Sequence, residues 1–440
     1  MAKTLGIKKD IPKKKIAQDP LELLKRGIWV YFFLLIFEGA LRKWFLPFLS
    51  TPLLIIRDPI AFGLIYLAIK QNVLKSNLIL TTVTIIGVVS IVTAIFLGHG
   101  SLPVALFGAR IFLIHFPLIF VIGRVFTFED VIKMGKIILW ISIPMSMLIT
   151  LQFYSPQSAW VNRGVGGDSE GGGFSGALGF FRPPATFSFI TGTIAFYSLA
   201  ACFIFYFLLN SKYINKLVLY GATGALLIAI PLSISRTLLG SVVVIFGFVL
   251  IAVSRKSKYF GQILIGFLAM IVVFIILSNT AAFQTATEAF TARFESANEI
   301  EGGLQNTLAD RYLGGMISSI QNSTEEPFFG YGTGMGTNVG SQLLRGKTSY
   351  LISEGEWGRL IGEMGLLMGL LIITFRLKLC IDIGFASYRK LASDNFLPWI
   401  LVGFLLLNIP QGQWAQPTIL GFSVLGGGLA VSSLRTSNKS

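Results

Sequence analysis

Residues 214–253 read INKLVLYGATGALLIAIPLSISRTLLGSVVVIFGFVLIAV. Two apolar runs, 214–234 and 237–253, are broken only by Pro231-Leu-Ser-Ile-Ser-Arg236-Thr-Leu-Leu-Gly240. Each run has the length that the hydrocarbon core of a bilayer demands of a helix, roughly 17–25 residues. A soluble core element of that length would carry a polar face, and neither run has one. The pair therefore reads as two membrane helices joined by a tight turn. Arg236 is then a charge at a membrane helix end, a costly placement usually kept for a partner or a ligand.

The same pattern recurs along the chain. Of 440 residues, 53% are hydrophobic and 13% charged. Further apolar runs fall near 28–46, 51–69, 78–97, 103–123, 133–153, 184–209, 260–277, 358–377, 395–410 and 415–433. The expected fold is an all-α polytopic membrane protein of about 12 transmembrane helices. Residues 1–27 form a basic tail, 28–277 carry helices one to nine, 358–433 carry ten to twelve, and 434–440 form a short tail. Two long polar connections fall on one side, a Gly-rich loop at 154–183 and a large loop at 278–357.

The net charge of +15 is a topology signal and does not call for nucleic acid. Counting spans from a cytoplasmic N-terminus places 24 of the 36 Lys and Arg inside, and only 7 of the 21 Asp and Glu. Lys25-Arg26, Arg255-Lys256-Lys258, Arg376-Lys378 and Arg389-Lys390 all count as inside. This positive-inside bias puts both termini in the cytoplasm and both long loops outside. No cleavable signal peptide precedes Ile28. Two cysteines, Cys202 and Cys380, and two histidines, His99 and His115, supply neither a disulfide framework nor a metal set.

The outside face gathers arginines. Arg182 opens Arg182-Pro-Pro-Ala-Thr-Phe-Ser before a membrane helix, where free N–H groups attract anions. Arg236 follows Ser233 and Ser235, either of which can cap its helix. Arg311 lies in the large loop, and Arg359 falls in Glu356-Trp-Gly-Arg359-Leu-Ile-Gly-Glu363. Clustered guanidinium groups suit a phosphate or pyrophosphate. Glu356, Arg359 and Glu363 share a helix face. Two readings of that face stand: a carboxylate poised as general base on a hydroxyl, or an ion-paired strut. Glu38 and Arg42 are spaced for an intrahelical pair, Arg57-Asp58 form a second adjacent pair, and Arg110 and His115 mark either a polar path or internal hydrogen-bond partners. Residues 164–179, which include the Gly-rich run Gly164–Gly173, read as a flexible loop, and 330–336 as a tight loop beneath the site.

In order, Arg182-Pro-Pro-Ala-Thr-Phe-Ser, Ser235-Arg236-Thr-Leu-Leu-Gly, Pro327-Phe-Phe-Gly-Tyr-Gly-Thr-Gly and Glu363-Met-Gly-Leu-Leu-Met-Gly resemble the O-antigen ligase and Wzy-type polysaccharide polymerase superfamily. Glu38-Gly-Ala-Leu-Arg-Lys-Trp with Arg57-Asp58-Pro59 is similar to an exopolysaccharide polymerase subgroup. The resemblance covers most of residues 30–375. It implies a GT-C-like, metal-independent glycosyltransferase without cofactors in a bacterial inner membrane, active at the periplasmic face. It implies undecaprenyl-pyrophosphate-linked oligosaccharides as substrates and admits a chain-length regulator protein as a partner. Arg236, Arg311, Arg182 and Arg359 would hold the pyrophosphate. Ligases of the family carry a His at the position of Glu354; its absence favours a polymerase, with Glu354 or Glu356 in the catalytic role.

Overall fold

The computed structural model describes residues 20–255, 258, 260–301, 315–321, 326–346, 351–353 and 355–435. Arg311 and Glu354, expected at the site, lie outside the described residues.

The architecture is helical, with one two-residue β ladder among the described residues. In chain order the main helices are α1 (Pro20–Ala40), α2 (Arg57–Lys70), α3 (Leu78–Phe96), α4 (Leu102–Arg110), α5 (Phe116–Val125), α6 (Phe128–Tyr154), α7 (Ile190–Leu209), α8 (Lys216–Leu232), α9 (Arg236–Ser254), α10 (Phe260–Ser278), α11 (Ala281–Glu301), α12 (Gly315–Gln321), α13 (Asn338–Arg345), α14 (Glu356–Lys390), α15 (Leu397–Asn408) and α16 (Pro417–Ser433). Local chemistry sets their starts. Asn77, Asn215 and Ser235 cap α3, α8 and α9, and Thr127 with Asp130 forms a capping box on α6. Pro103, Pro398 and Pro417 open α4, α15 and α16, where a missing N–H costs nothing.

Among the described residues, seven helices, some of them joined segments, are long and apolar enough to cross a membrane. Phe62, Ile85, Phe96, Met147, Val243 and Phe385 stand exposed around the perimeter. Large apolar side chains ringing a packed bundle are untenable in water and expected in lipid. The molecule has the architecture of a polytopic membrane protein. At its centre lies α7, with 89% of its apolar window buried, packed on α6, α8, α9, α15 and α16. Glycines permit close helix approach: Gly427 and Gly428 of α16 receive Ile119 and Ile122 of α5, and Gly135 of α6 receives Phe203 of α7.

Hydrogen bonds tie each end of the bundle together. At one end Lys25 meets Asp130 at 2.7 Å, Arg124 donates to the Val73 carbonyl, Ser432 to that of Phe126, and Asn395 to that of Ser433. At the other, Lys43 donates to the Ala185 carbonyl, Arg42 to Ser188, and Thr191 to Gln416.

Between the ends runs a buried polar chain. Glu38 accepts from Arg57 at 3.0 Å and from Arg42 at 3.4 Å, the expected intrahelical spacing. Asp58 does not pair with its neighbour Arg57. It takes both oxygens to Arg110 Nη1 at 2.7 and 2.9 Å, and its Oδ1 also lies 2.9 Å from His115 Nε2. Successive helical side chains diverge by about 100°, so residues adjacent in sequence serve different partners. Tyr31 closes the chain, its hydroxyl 3.1 Å from His115 Nδ1. Arg110 and His115 are therefore internal hydrogen-bond partners. Arg110 precedes and His115 ends a π-helical turn, Ile111–His115, and both side chains are buried.

Four expectations are corrected. The apolar run from 184 becomes helix only at Ile190, because Ala185 adopts φ +54° with Gln152 bonded to both its N–H and its carbonyl. The Gly-rich loop is stapled: Asn162 donates to the carbonyls of Gln152, Ser155 and Pro156, and Gly172 and Gly173 donate to Asn162 and Gln157. Helix α1 begins at Pro20, so residues 20–27 of the expected basic tail belong to the first helix. The run 358–377 is not one straight span, because α14 breaks at Gly365.

Candidate active site

At Gly365 the backbone adopts φ 77°, ψ 169°, a region open in practice only to glycine. A straight helix would hold Glu356 and Arg376 about 30 Å apart. Instead Arg376 Nη1 donates to Glu356 Oε1 at 2.8 Å, and Gly369 packs on Ile361. Residues 356–364 therefore fold back against residues 366–376 as a re-entrant arm. Residues 366–390 present Leu367, Leu371, Ile381 and Phe385 outward.

The break frees two carbonyls, and the glycine-rich loop supplies their partners. Tyr331 N–H donates to the Gly362 carbonyl at 2.7 Å and Gly332 N–H to that of Glu363 at 3.0 Å. A Cβ on Gly365 would overlap the Phe328 carbonyl. The loop is held in turn by α3 and α4. His99 Nδ1 accepts from the Ser101 N–H at 3.0 Å, so its Nε2 carries the proton donated to the Thr333 carbonyl at 3.1 Å. Gly334 lies against Val104 and Gly108 with no room for a side chain. The expected tight loop beneath the site is this element.

The arm carries a buried charge cluster. Arg359 donates through Nε and Nη2 to Glu356 at 2.9 and 2.8 Å, and through Nη1 to Glu363 at 2.6 Å. Glu363 also accepts from the Gly336 N–H at 2.9 Å, and Glu356 from the Trp414 N–H at 3.1 Å. The Arg376 guanidinium stacks 3.7 Å over the Trp414 ring. Two guanidinium groups and two carboxylates offset each other, and all four side chains are buried. Of the two readings of this face, the geometry is that of the ion-paired strut. Glu356 accepts four hydrogen bonds, three of them from guanidinium groups.

Trp414 belongs to residues 409–416, which join α15 to α16. The 12 residues of α15 rise only about 18 Å from the bundle end that carries Asn395. That is well short of a hydrocarbon thickness of about 30 Å. The connection is therefore sunk below the opposite end of the bundle. Over it opens a small recess. Gly336 and Asn338 form one wall, and Ser353, Glu356 and Arg359 a second. Gln413, Ala415 and Gln416 form the third.

Arg182 and Arg236 do not line this recess. Arg182 is not at a helix N-terminus. It pairs with Phe174 in the β ladder, eight residues before α7, with its guanidinium 5.4 Å from the Phe174 ring. The tip of that hairpin rests on Ile234, because a Cβ on Gly176 would meet the Ile234 side chain. Arg236 opens α9 two residues on, after Ser235 Oγ accepts from the Leu238 N–H at 3.3 Å. Buried Ile234 holds φ +46°, an uncommon conformation for a β-branched residue. The structure thus sets the Gly176 turn of the Arg182 hairpin against Ile234, two residues before Arg236, and Arg359 against Glu356.

Sequence reasoning missed two parts of the site. Arg376 was grouped with the inside cluster because Lys378 follows it, yet it is buried against Glu356. Its signal was an arginine within the run Leu366–Cys380, where a charge needs a partner. Gln413, Trp414 and Gln416 lie between Pro410 and Pro417, an amide-rich insert between two apolar runs. No protein-family model, curated protein or solved structure matches this chain.

Proposed function

We propose that the protein is a polysaccharide polymerase, a membrane glycosyltransferase acting on lipid-linked oligosaccharides. The observation that carries this reading is the recess: amides, a hydroxyl, a carboxylate and a guanidinium lining a cavity sunk into an otherwise apolar bundle. Hydroxyl-rich sugars are recognised by such groups, and a lipid-anchored sugar reaches them from the bilayer. In this reading the apolar segments adopt a GT-C-like arrangement, with the tenth crossing made by residues 366–390 and α15 stopping short of the outer face. The end bearing Lys25, Arg124, Arg389 and Arg435 is cytoplasmic, and the recess opens outward.

The acceptor hydroxyl oxygen attacks the anomeric carbon of the donor. The bond from that carbon to the pyrophosphate oxygen breaks, leaving undecaprenyl pyrophosphate and a glycan longer by one repeat unit. Arg236, Arg182 and Arg311 hold the pyrophosphate and offset the charge that develops on its bridging oxygen. Glu356 is committed to Arg359 and Arg376, which makes it a poor base. The proton therefore goes to Glu354, next in sequence to Ser353 on the recess wall. Arg359 acts by fixing the arm that carries Glu356.

The test uses purified protein in liposomes with a short oligosaccharide on undecaprenyl pyrophosphate. Wild type yields a ladder of products, and Arg236→Ala loses it while still inserting. Normal chain lengths from Arg236→Ala would sink the role of that arginine. Product attached to another lipid or to protein would instead mark a ligase. A second reading, a lipid-linked oligosaccharide flippase, draws on the broken helix at Gly365, since transporters use such breaks. Unchanged donor that moves between leaflets would favour it.

A further inference from the structure

The Gly-rich loop divides by polarity. Its first half carries Arg163, Asp168 and Glu170, whereas Gly171-Gly-Gly-Phe-Ser-Gly-Ala-Leu-Gly-Phe-Phe181 carries no charge. The uncharged half forms the β hairpin, and it turns large apolar side chains outward. Phe174 is 50% exposed, Leu178 63% and Phe181 40%. Each face of the ribbon carries one phenylalanine, because Phe174 pairs with Arg182 and Phe181 with Ser175. At the tip the Phe180 N–H donates to the Ala177 carbonyl at 2.9 Å, with φ +51° at Leu178 and +79° at Gly179. Turns with positive φ at both central residues favour Asn, Asp or Gly there. Leu178 is thus a poor turn former whose side chain, in water, would also be left without apolar contact. Lipid around the tip removes that second penalty.

The depth of the tip follows from what it touches. Phe180 stacks on Phe153 with ring centroids 4.7 Å apart, and Gly176 abuts Ile234. Phe153 lies in the last turn of α6. Residues 137–154 of α6, 18 in all, carry no charge and follow Lys133 and Lys136. They rise about 27 Å, close to a hydrocarbon thickness of about 30 Å. Phe153 therefore lies at the far boundary of the hydrocarbon. Ile234 leads into α9, whose Val243, Leu250 and Ile251 are exposed on the perimeter. The hairpin thus returns from the charged half of the loop to the rim of the lipid-facing surface. The Gly176 N–H donates to the Phe180 carbonyl at 2.9 Å, so the tip satisfies part of its own backbone, as an apolar medium requires.

We propose that the hairpin Phe174–Arg182 is a membrane anchor: Phe174, Leu178 and Phe181 insert among the acyl chains of the leaflet on that side, while the half of the loop bearing Asp168 and Glu170 stays in water. The lipid surface is continuous with the one that α6 and α9 already present.

The experiment is spin-label EPR on the full chain in nanodiscs of phosphatidylcholine and phosphatidylglycerol, with a nitroxide on Leu178→Cys. Native Cys202 and Cys380 are buried, and the unsubstituted chain is the labelling control. Collisions of the label are measured with oxygen, which concentrates in lipid, and with nickel-EDDA, which stays in water. Val243→Cys on the perimeter of α9 marks lipid, and Ser169→Cys in the charged half of the loop marks water. The oxygen-to-nickel collision ratio at position 178 should fall within about twofold of that at 243 and lie at least about fivefold above that at 169, because a polar complex is excluded from hydrocarbon. If Leu178→Cys fails to fold, Phe181→Cys carries the same expectation. A ratio equal to that at position 169 would overturn the proposal. So would a label shielded from both reagents, which would mean that a second copy or another protein covers the hairpin. The readout needs no substrate, so its outcome is independent of the glycan-transfer reading.

Discussion

Replacing Gly365 by alanine probes the reversal on which the recess depends. The native φ of 77° with ψ 169° costs an L-residue about 1–3 kcal/mol. The added Cβ would lie 2.7 Å from the Phe328 carbonyl carbon, where two carbon atoms settle at about 3.5–4.0 Å. Residues 328–332 must therefore retreat by roughly 1 Å. That movement stretches the Tyr331–Gly362 and Gly332–Glu363 hydrogen bonds, now 2.7 and 3.0 Å, beyond useful length. Two such bonds contribute about 2 kcal/mol together. The expected loss is about 3–5 kcal/mol, a large fraction of the stability of a typical domain. Gly240 is the control: it lies in α9 with nothing within 4 Å of an added Cβ. Gly240→Ala should be neutral or stabilising by up to about 1 kcal/mol. Both variants would be unfolded with SDS from mixed micelles and compared with wild type. A Gly365→Ala loss below about 1 kcal/mol, equal to or smaller than that of the control, would refute the folded-back arm.

Other perturbations address the buried charges. Glu356→Gln leaves one acceptor oxygen for four donors and an unbalanced cation, at a cost of about 3–5 kcal/mol. Adding Arg376→Met should recover about 2 kcal/mol in a double-mutant cycle, read by the same denaturation, and no recovery would mean the pair is not coupled. Asp58→Asn should cost about 3 kcal/mol through the loss of its Arg110 and His115 partners. Asp382→Asn, from an exposed pair with Lys378, should cost under about 0.5 kcal/mol, and equal losses would refute the distinction.

The apolar runs were legible because hydropathy is summed over a whole span, so a helix lies in each of the expected segments. What escaped is decided by contacts between distant residues. Glu363-Met-Gly365-Leu-Leu reads as continuous helix, and only the loop at 328–332, which accepts the break, turns it back. Arg376 looks cytoplasmic beside Lys378 until Glu356 is brought within 2.8 Å. The Gly164–Gly173 run has the composition of a flexible linker, yet Asn162 fastens three nearby carbonyls. The Glu356–Arg359–Glu363 face was visible from its spacing. Whether it acts as base or strut was not, because the deciding partners Arg376, Trp414 and Gly336 lie far along the chain.

The fold-back has a consequence for biogenesis. As the chain leaves the ribosome, residues 366–390 can enter the bilayer at once. The arm before them bears Glu356, Arg359 and Glu363, and these lack part of their hydrogen bonding until Trp414 arrives from beyond α15. Charged side chains without full compensation are excluded from lipid. The arm must therefore wait at the membrane surface and dock only after the last two helices have been inserted. Chains truncated before residue 397 should be caught by quality control, even though every earlier span is intact.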